Sequence, residues 1–308
     1  MIYDLIILGG GPAGTSAAVY AARKRLKTLF VTAEFGGQST VSETIYNWIG
    51  TPEIGGMELG ESFKKHILAN AGEYLEVKDG QKALNVSKNE NIFIVKTDAN
   101  QEYQAKTILI STGSGRRKLV AKNADTLEHK GITYCASCDG PLFSGADVVV
   151  IGGGNAGFES AAQLLAYCNS VTLINRSETF RADEITVEKV LSNPKMKAIK
   201  NADILEVKGE KFVEGLIYQD RTTKEIKELP VTGIFVEIGQ IPNTDLVKGL
   251  VDLDDVNRVK IDPWTNRTSV AGIWAAGDCT NILYHQNNIA AGDGVKALED
   301  IYLYLHAK

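Results

Sequence analysis

The chain has 308 residues, of which 44% are hydrophobic and 23% charged, and its formal net charge is −5. A chain of this length exceeds one average domain, so we expect two. The acidic balance argues against nucleic acid or an anionic membrane as the main partner. No apolar stretch is long enough to span a bilayer, and the first residues lack the pattern of a signal peptide, so a cytoplasmic protein is expected.

The first predicted element is a buried parallel strand over residues 4–8, which form a short apolar run. Gly9, Gly11 and Gly14 follow in a G-x-G-x-x-G pattern, and an alanine-rich helix comes next. Gly9 permits a tight turn, Gly11 lets a pyrophosphate approach the backbone, and Gly14 lets the helix pack on the strand. Free N–H groups at the helix N-terminus attract phosphates. The pattern predicts a dinucleotide-binding unit.

A second strand over residues 28–32 leads to Glu34, twenty positions after Gly14. A carboxylate at that distance is placed to accept hydrogen bonds from an adenosine ribose. Residues 107–113 predict a further strand, which ends in a turn of small residues.

The next informative segment holds Cys135 and Cys138, and Asp139 follows at once. Two thiols at this spacing can close a disulfide, and the start of a helix favours the reactive thiolate. Asp139 is well placed to exchange the proton that moves as a thiolate forms. Metal binding is the competing interpretation, but tetrahedral zinc needs four ligands, and the other cysteines and the histidines supply no matching spacing. We therefore predict a redox-active pair and no metal, with Cys168 and Cys279 as packing residues.

The nucleotide pattern returns after the cysteines. An apolar run over residues 147–151 meets Gly152, Gly154 and Gly157, again with an alanine-containing helix behind them. One such pattern can be only a turn, but two, each between a strand and a helix, favour two dinucleotide-binding units.

The second strand of this later unit, over residues 170–174, leads to Arg176 and Arg181. Arginines stand here where the first unit has its acid, and they suit a ribose 2′-phosphate better than a free hydroxyl. Near the C-terminus, residues 272–278 repeat a strand and a turn of small residues. The acid at its end, Asp278, can hydrogen-bond the ribityl chain of a flavin, and a helix or turn cap is the alternative interpretation.

The later unit lies between two parts of the earlier one. The predicted fold class is therefore α/β, with two Rossmann-like dinucleotide-binding domains of the three-layer ββα type, the second inserted into the first. The predicted ranges are 1–113 and 246–308 for the outer domain and 114–245 for the inserted domain.

In this order, the motifs resemble those of the low-molecular-weight thioredoxin reductase family over essentially the whole chain. The segments that carry the resemblance are Gly9-Gly10-Gly11-Pro12-Ala13-Gly14, Gly36-Gly37-Gln38, Asn47-Trp48, Cys135-Ala136-Ser137-Cys138-Asp139-Gly140, the second glycine motif, Gly277-Asp278 and Tyr284-His285-Gln286. The resemblance implies FAD in the outer domain, a nicotinamide nucleotide in the inserted domain, and a homodimer.

The resemblance also implies roles for individual residues. The FAD site would be lined by Gly9, Gly11, Pro12, Ala13, Gly14, Glu34, Gly37, Gln38, Asn47, Gly113, Asp278, His285, Gln286 and Asn287. The nicotinamide nucleotide would be held by Gly152, Gly154, Asn155, Gly157, Arg176 and Arg181. Cys138 would face the flavin, Cys135 would attack the acceptor disulfide, and Asp139 would act as the acid and base.

The sequence departs from the family pattern at the nicotinamide site. The family's NADPH signature reads His-Arg-Arg-x-x-x-Arg, whereas this chain has Asn175, Arg176 and Ser177, with Arg181. Gly157 stands where NADPH-using members often have alanine. The segment Cys-Ala-Ser-Cys-Asp-Gly-Pro-Leu-Phe also resembles the reductase component of alkyl hydroperoxide reductase, which prefers NADH. We expect a modest preference for NADPH with measurable use of NADH.

The function that these patterns predict is electron transfer from NADPH or NADH through FAD and the Cys135/Cys138 pair to a thioredoxin-like or glutaredoxin-like protein. The sequence has no thioredoxin-like extension before the first strand, so we expect a separate acceptor. The alternatives are an NADH-dependent reductase of a peroxiredoxin system, a ferredoxin-dependent reductase, a dithiol oxidase, and a flavin-binding redox sensor that does not turn over.

Overall fold

The computed structural model describes residues 1–42 and 44–307. Met1–Gly115 and Ile241–Lys308 form one unit, and Arg116–Gln240 form a second unit inserted into the first. The predicted α/β class with two dinucleotide-binding folds is confirmed. The chain changes unit at 115/116 and 240/241, compared with the boundaries of 113/114 and 245/246 that the sequence suggests. Which cofactor each domain holds stays a prediction.

The elements follow one another in three stretches of chain. The first stretch forms β1 (Ile2–Gly10), α1 (Pro12–Arg23), β2 (Thr28–Phe35), α2 (Gly56–Asn70), β3 (Leu75–Asp79), β4 (Ala83–Asn89), β5 (Ile92–Thr97), β6 (Glu102–Ile110) and β7 (Ser114–Arg116). The second forms β8 (Ile132–Thr133), α3 (Ala136–Asp139), β9 (Asp147–Ile151), α4 (Asn155–Leu164), β10 (Ser170–Ile174), α5 (Glu184–Leu191), β11 (Met196–Ile199), β12 (Ala202–Lys208), β13 (Gly215–Asp220), β14 (Ile226–Leu229), β15 (Gly233–Val236) and β16 (Gln240–Pro242). The third forms β17 (Ile273–Ala275) and α6 (Asn287–His306).

The first unit is built on a mixed sheet with the strand order β3-β2-β1-β6-β5-β4. β1 pairs in parallel with β2 and β6, and β17 joins the end of β6 in parallel. Along β1, Leu5 and Ile7 pack in the core shared with the helices, while Ile6 and Leu8 pack in the core on the opposite face. A strand that is buried on both faces must be apolar at every position, which explains the unbroken apolar run.

The inserted unit has a parallel sheet with the strand order β11-β10-β9-β15-β8 and a separate antiparallel sheet, β12-β13-β14. Along β9, Val148 and Val150 pack with residues of α4 and α5, whereas Val149 and Ile151 pack with residues of the antiparallel sheet. The unit therefore has three layers: helices, the parallel sheet and the antiparallel sheet. In the described part of the chain, no helix combines the length and the apolar character needed to cross a membrane.

Candidate functional site

The carboxyl ends of four neighbouring strands of the first unit open onto one cavity of about 550 Å³. Its walls include residues 9–13 at the end of β1, 32–34 at the end of β2, 111–114 after β6 and 276–278 after β17. In open α/β sheets, ligands bind outside the carboxyl ends of the strands, at the point where the strand order reverses. β1 occupies that point here, between β2 and β6.

Three glycines shape the turn at the end of β1. A Cβ on Gly9, which has a φ of +118°, would lie 2.3 Å from the carbonyl oxygen of Ser111. A Cβ on Gly14 would lie 1.9 Å from the carbonyl oxygen of Gly9. Gly11 lines the cavity, and a Cβ there would meet nothing within 4 Å. Gly9 and Gly14 are thus required by close packing, and the open space beside Gly11 fits a pyrophosphate that approaches the backbone.

Most of the residues predicted for the FAD site line this one cavity. Those that line it are Gly9, Gly11, Pro12, Ala13, Glu34, Gly37, Gln38, Gly113, Asp278 and Asn287. Gly14 does not line the cavity but packs against the carbonyl oxygen of Gly9 within the turn. Asn47 and Gln286 are not among the lining residues, and the Asn47 amide donates to Gln286 Oε1 at 3.3 Å. His285 Nε2 lies 3.1 Å from the carbonyl oxygen of Ile282.

The cavity also contains residues that sequence reasoning missed. Residues 81–84, at the start of β4, form part of the wall, and so does Asn243, which follows the inserted unit. The Asn243 amide donates to the carbonyl oxygen of Thr112 at 3.0 Å, and the Thr112 hydroxyl donates to the carbonyl oxygen of Asn243 at 2.6 Å. No local motif marks either segment, because each reaches the cavity through pairing that is distant in sequence.

The second glycine turn repeats the construction of the first. A Cβ on Gly152, which has a φ of +133°, would lie 2.1 Å from the carbonyl oxygen of Glu237. A Cβ on Gly157 would lie 2.0 Å from the carbonyl oxygen of Gly152, and one on Gly154 would meet nothing within 4 Å. The inserted unit therefore has the same open approach to its middle glycine.

The loop after β10 is shaped by a buried side chain. Asn175 donates from Nδ2 to the carbonyl oxygens of Ser177, at 2.8 Å, and Thr179, at 2.9 Å. Asn175 stands where the family signature has histidine. In this chain, its side-chain amide holds the loop by hydrogen bonds to backbone carbonyl groups of the same loop. The bonds fix the path of the segment that carries Arg176 and Arg181.

The two predicted arginines of this loop have different surroundings. Arg176 is exposed, but its Nε lies 2.9 Å from Asp203 Oδ1. Arg221 approaches the other oxygen of Asp203 at 3.2 Å. Arg181 is exposed, and its backbone N–H donates to Gly153 at 2.8 Å. Arg176 thus already has an anionic partner, which the sequence did not indicate.

Asn155, the remaining residue predicted for the nicotinamide site, begins α4. Its side-chain oxygen accepts a hydrogen bond from the backbone N–H of Asp183 at 2.9 Å. The residue therefore joins the glycine turn to the segment that precedes α5.

The cysteine pair lies where β8 ends. Cys135 and Cys138 form a disulfide, with their Cα atoms 5.3 Å apart, so the predicted pairing is confirmed. The N–H of Cys138 donates to Cys135 Sγ at 3.2 Å. Asp139 is half-buried, and the Thr133 hydroxyl donates to its carboxylate. Burial raises the pKa of Asp139 above its usual range, against the opposing effects of Thr133, Arg116 and His129.

The glycine turn and the cysteine turn share one edge of the parallel sheet. Phe235 of β15 pairs with Val150 of β9 on one side and with Thr133 of β8 on the other. Glu237, two residues further on, therefore follows β15 between the two turns. The Ser160 hydroxyl donates to Glu237 Oε1 at 2.6 Å, and burial raises the pKa of this carboxyl. Sequence reasoning missed Glu237, because its importance depends on strand order alone.

The other two cysteines form no disulfide, and both are buried. Cys168 contacts the carbonyl oxygen of Phe143, and Cys279 contacts that of Ala276, each at 3.4 Å. Burial raises the pKa of Cys279 to about 11, so its thiol stays protonated at neutral pH. Within residues 1–42 and 44–307, no group of three or more His, Cys, Asp or Glu side chains is arranged to hold a metal ion.

Two glycine-turn nucleotide folds, one of which carries a disulfide beside a half-buried acid, define the class of a disulfide-containing dinucleotide-binding protein. The model of the family described as "Pyridine nucleotide-disulphide oxidoreductase" matches residues 3–294. The chain belongs to this family, whose cofactors are FAD and NAD(P)H.

Individual relatives agree with this assignment. The chain is similar to an NADH dehydrogenase of Bacillus subtilis (strain 168), with 37% identity over 304 residues, or 98% of this chain and 58% of the relative. It is 36% identical over 304 residues to one component of the alkyl hydroperoxide reductase of Escherichia coli (strain K12), a match that covers 98% of this chain and 58% of that protein. The chain thus spans less than two thirds of the length of these relatives.

A solved structure matches the chain over nearly its full length. The crystal structure of thioredoxin reductase from Streptococcus pyogenes MGAS5005 superposes with a TM-score of 0.90 at 30% identity, and covers 100% of this chain and 99% of that one. The resemblance to the thioredoxin reductases is confirmed.

Proposed function

We propose that the protein is a flavoenzyme that uses NADPH or NADH to reduce a protein disulfide through Cys135 and Cys138. The proposed acceptor is a thioredoxin-like or glutaredoxin-like protein. The observation that carries this proposal is the disulfide at the carboxyl edge of the second nucleotide fold, next to the half-buried Asp139. The likeness to the thioredoxin reductase of Streptococcus pyogenes supports it.

The residues of the two units fit the two cofactors. We assign FAD to the cavity of the first unit, where Gly11 leaves room for the pyrophosphate, Glu34 lies at the end of β2 on the proposed ribose side, and Asp278 lines the wall on the proposed ribityl side. The nicotinamide nucleotide is assigned to the glycine turn of the inserted unit and the loop that carries Arg176 and Arg181. FAD, when bound, supplies the two-electron chemistry between nicotinamide oxidation and disulfide reduction.

The cysteine turn is suited to the second half of the reaction. Reduction of the Cys135–Cys138 bond takes up two electrons and two protons, one on Cys138 Sγ and one on the Asp139 carboxyl. The Cys138 N–H that donates to Cys135 Sγ stabilises a thiolate at Cys135. This thiolate attacks one sulfur of the acceptor disulfide, and the other acceptor sulfur leaves as a thiolate, which takes a proton from Asp139. The raised pKa of Asp139 keeps that proton available.

A second exchange then releases the acceptor. Asp139 takes the proton of Cys138, and the new thiolate attacks the sulfur of Cys135. The bond between Cys135 and the acceptor breaks, the departing acceptor sulfur takes the proton that Asp139 has just accepted, and the Cys135–Cys138 disulfide is restored.

Two variants test this proposal. We expect Cys135→Ser and Cys138→Ser each to abolish turnover of a disulfide substrate, while flavin reduction by the nicotinamide nucleotide survives. Cys168→Ala is the matched control, because Cys168 is a buried thiol of the same unit that does not join the disulfide. Purified protein should be yellow and release one FAD per chain on denaturation. Near-normal disulfide turnover in either serine variant, or protein that cannot bind FAD, would contradict the proposal.

An NADH-dependent reductase of a peroxiredoxin system is the second candidate. The likeness to a component of alkyl hydroperoxide reductase favours it, and so does the Asp203 carboxylate that holds Arg176. Stopped-flow reduction of the flavin with NADPH and NADH separately distinguishes the two. If neither nucleotide reduces the flavin, the ferredoxin-dependent alternative replaces both, and oxygen consumption with a dithiol would instead indicate the oxidase.

We also propose a cytoplasmic homodimer, as the sequence and the family resemblance imply. Light scattering of the purified protein tests the oligomeric state, and fractionation of cells tests the compartment.

A further inference from the structure

The basic run Arg116-Arg117-Lys118 contains one residue whose surroundings differ from those of its neighbours. Arg117 and Lys118 are exposed, whereas Arg116 is half-buried. Arg116 Nη1 donates to the carbonyl oxygen of Tyr134, and its guanidinium carbon lies 5.9 Å from the centre of the Tyr134 ring. Because Tyr134 directly precedes Cys135, this contact reaches the start of the cysteine turn.

Tyr134 is also held from its other end. Its hydroxyl donates to Glu128 Oε2 at 3.1 Å, and burial raises the pKa of the phenol, so the hydroxyl stays a donor. Arg116 fixes the backbone carbonyl and Glu128 fixes the ring tip. The residue before the disulfide is thus restrained by two charged side chains, neither of which belongs to the cysteine turn.

The charge of Arg116 acts on the acid of the cysteine turn as well. The Arg116 guanidinium lowers the pKa of Asp139, and it also lowers that of Glu237, in opposition to burial. The other basic side chain that lowers the pKa of Asp139 is His129. α4, which packs against α3, carries one charged residue, Glu159, and the turn Gly140–Phe143, which also packs there, has none. Arg116 is therefore a permanent positive charge beside a site where thiolates and carboxylates form.

We propose that Arg116 is a positioning residue of the dithiol chemistry, which holds the Tyr134 carbonyl at the start of the cysteine turn and sets a positive charge near Asp139. The inference rests on the proposed function, because it assigns one more residue to the same reaction. When the disulfide is reduced, the guanidinium favours the thiolate that carries out the next attack. Loss of its charge should therefore favour the oxidised form.

The first test measures the disulfide equilibrium without any nucleotide or acceptor. The full chain is equilibrated with mixtures of reduced and oxidised dithiothreitol at neutral pH, and its thiols are trapped with a maleimide and counted by mass. Arg116→Gln should need a roughly tenfold higher reduced-to-oxidised ratio, the effect of one lost charge-assisted interaction. Arg116→Lys should stay close to wild type, and Arg117→Gln is the matched control. Equal midpoints for Arg116→Gln and Arg117→Gln would overturn the inference.

The second test uses the pH profile of hydroxyethyl disulfide reduction. The Asp139→Asn variant identifies the part of the profile that depends on Asp139, because that part is lost in it. In Arg116→Gln, this limb of the profile should move to higher pH, because the carboxyl loses its positive neighbour. In the Asp139→Asn background, Arg116→Gln should produce no further movement. An unmoved limb would overturn the inference. If the wild-type protein reduces no disulfide, the proposed function is wrong. The role of Arg116 is then still decided by the trapping experiment.

Discussion

Asp139 shows how a single side chain joins stability to chemistry. Asp139 is half-buried, so its charged form loses hydration, and the Thr133 hydroxyl and the Arg116 charge only partly offset that loss. A carboxyl that is costly to ionise is a better proton donor near neutral pH. The property that suits Asp139 to the proposed proton transfer therefore also makes its ionised form destabilising.

This conflict predicts a pH-dependent effect of Asp139→Asn on stability. The pKa of Asp139 is raised in the folded state, so its contribution is favourable at low pH and is lost as the pH rises through the folded-state pKa. The asparagine variant should become more stable relative to wild type as the pH rises, while disulfide turnover falls about a hundredfold or more. Urea unfolding of the oxidised protein at several pH values measures the first effect. A stability difference that does not depend on pH would contradict the prediction.

The sequence allowed some residue roles to be predicted and hid others for a physical reason. Cys135, Cys138 and Asp139 are adjacent in sequence, so their shared chemistry is visible without a structure. Arg116 acquires its surroundings only when its side chain reaches the Tyr134 carbonyl, and Glu237 only when β15 pairs beside β8. Roles that depend on the order of strands leave no local trace in the sequence.

At the scale of elements, glycine has two roles in each βαβ turn: close packing of the turn, and open space for a phosphate. A pair of alanine variants in the first turn tests this difference. Gly14→Ala should lower the stability of the first unit by about 1–3 kcal/mol, because the new Cβ would lie 1.9 Å from the Gly9 carbonyl oxygen. Gly11 has an ordinary φ of −78° and open space beside it, so Gly11→Ala should fold normally but retain FAD poorly. Thermal unfolding of the apoprotein and the bound FAD content distinguish the two. Equal retention of FAD in Gly11→Ala and wild type would contradict the assignment of the cavity.

The loop after β10 predicts how the nucleotide preference can be changed. Asp203→Asn should free Arg176 and raise the NADPH-to-NADH ratio of kcat/KM by up to about fivefold, since an exposed ion pair is worth about 1 kcal/mol or less. Arg176→Ala combined with Arg181→Ala should abolish any preference for NADPH. The contrast should shrink at high salt, because ions screen contacts to a phosphate. If the ratio is the same in all variants, these arginines are only solvent-exposed loop residues and do not bind the 2′-phosphate.

The sequence allowed the strands and helices next to the glycine turns to be predicted, but not the contacts that depend on strand pairing. Glycine spacing and apolar runs identify β1, β9 and the helices behind them, because turn and packing requirements are local. The wall formed by residues 81–84 was not predicted, since it depends on how β4 is placed by its pairing with β5, which in turn pairs with β6. The ion pair of Arg176 was missed for the same reason, because Asp203 belongs to β12, in a different sheet.

At the scale of the whole molecule, each unit has its own core on both faces of its own sheet. In the inserted unit, Val149 packs with Leu216 of the antiparallel sheet, and Val150 packs with Phe158 of α4. We therefore expect a fragment of residues 116–240 to fold alone and to form the Cys135–Cys138 disulfide. Cooperative thermal unfolding followed by circular dichroism, with thiol counting, measures this. A fragment that unfolds without cooperativity would show that the inserted unit depends on the rest of the chain.

The late position of β17 and α6 has a consequence for synthesis on the ribosome. α6 packs so closely on α1 that a Cβ on Gly294 would lie 2.1 Å from the Ala13 carbonyl oxygen, and Trp274 of β17 is almost fully buried. Both elements emerge only after the inserted unit, residues 116–240, has been translated, which takes about 6–25 seconds at about 5–20 residues per second. During that interval the nascent outer unit exposes the apolar side of α1 and the unpaired end of β6. The inserted unit can complete its fold first. The outer unit, whose synthesis begins earliest, therefore finishes folding last and is the unit most in need of a chaperone.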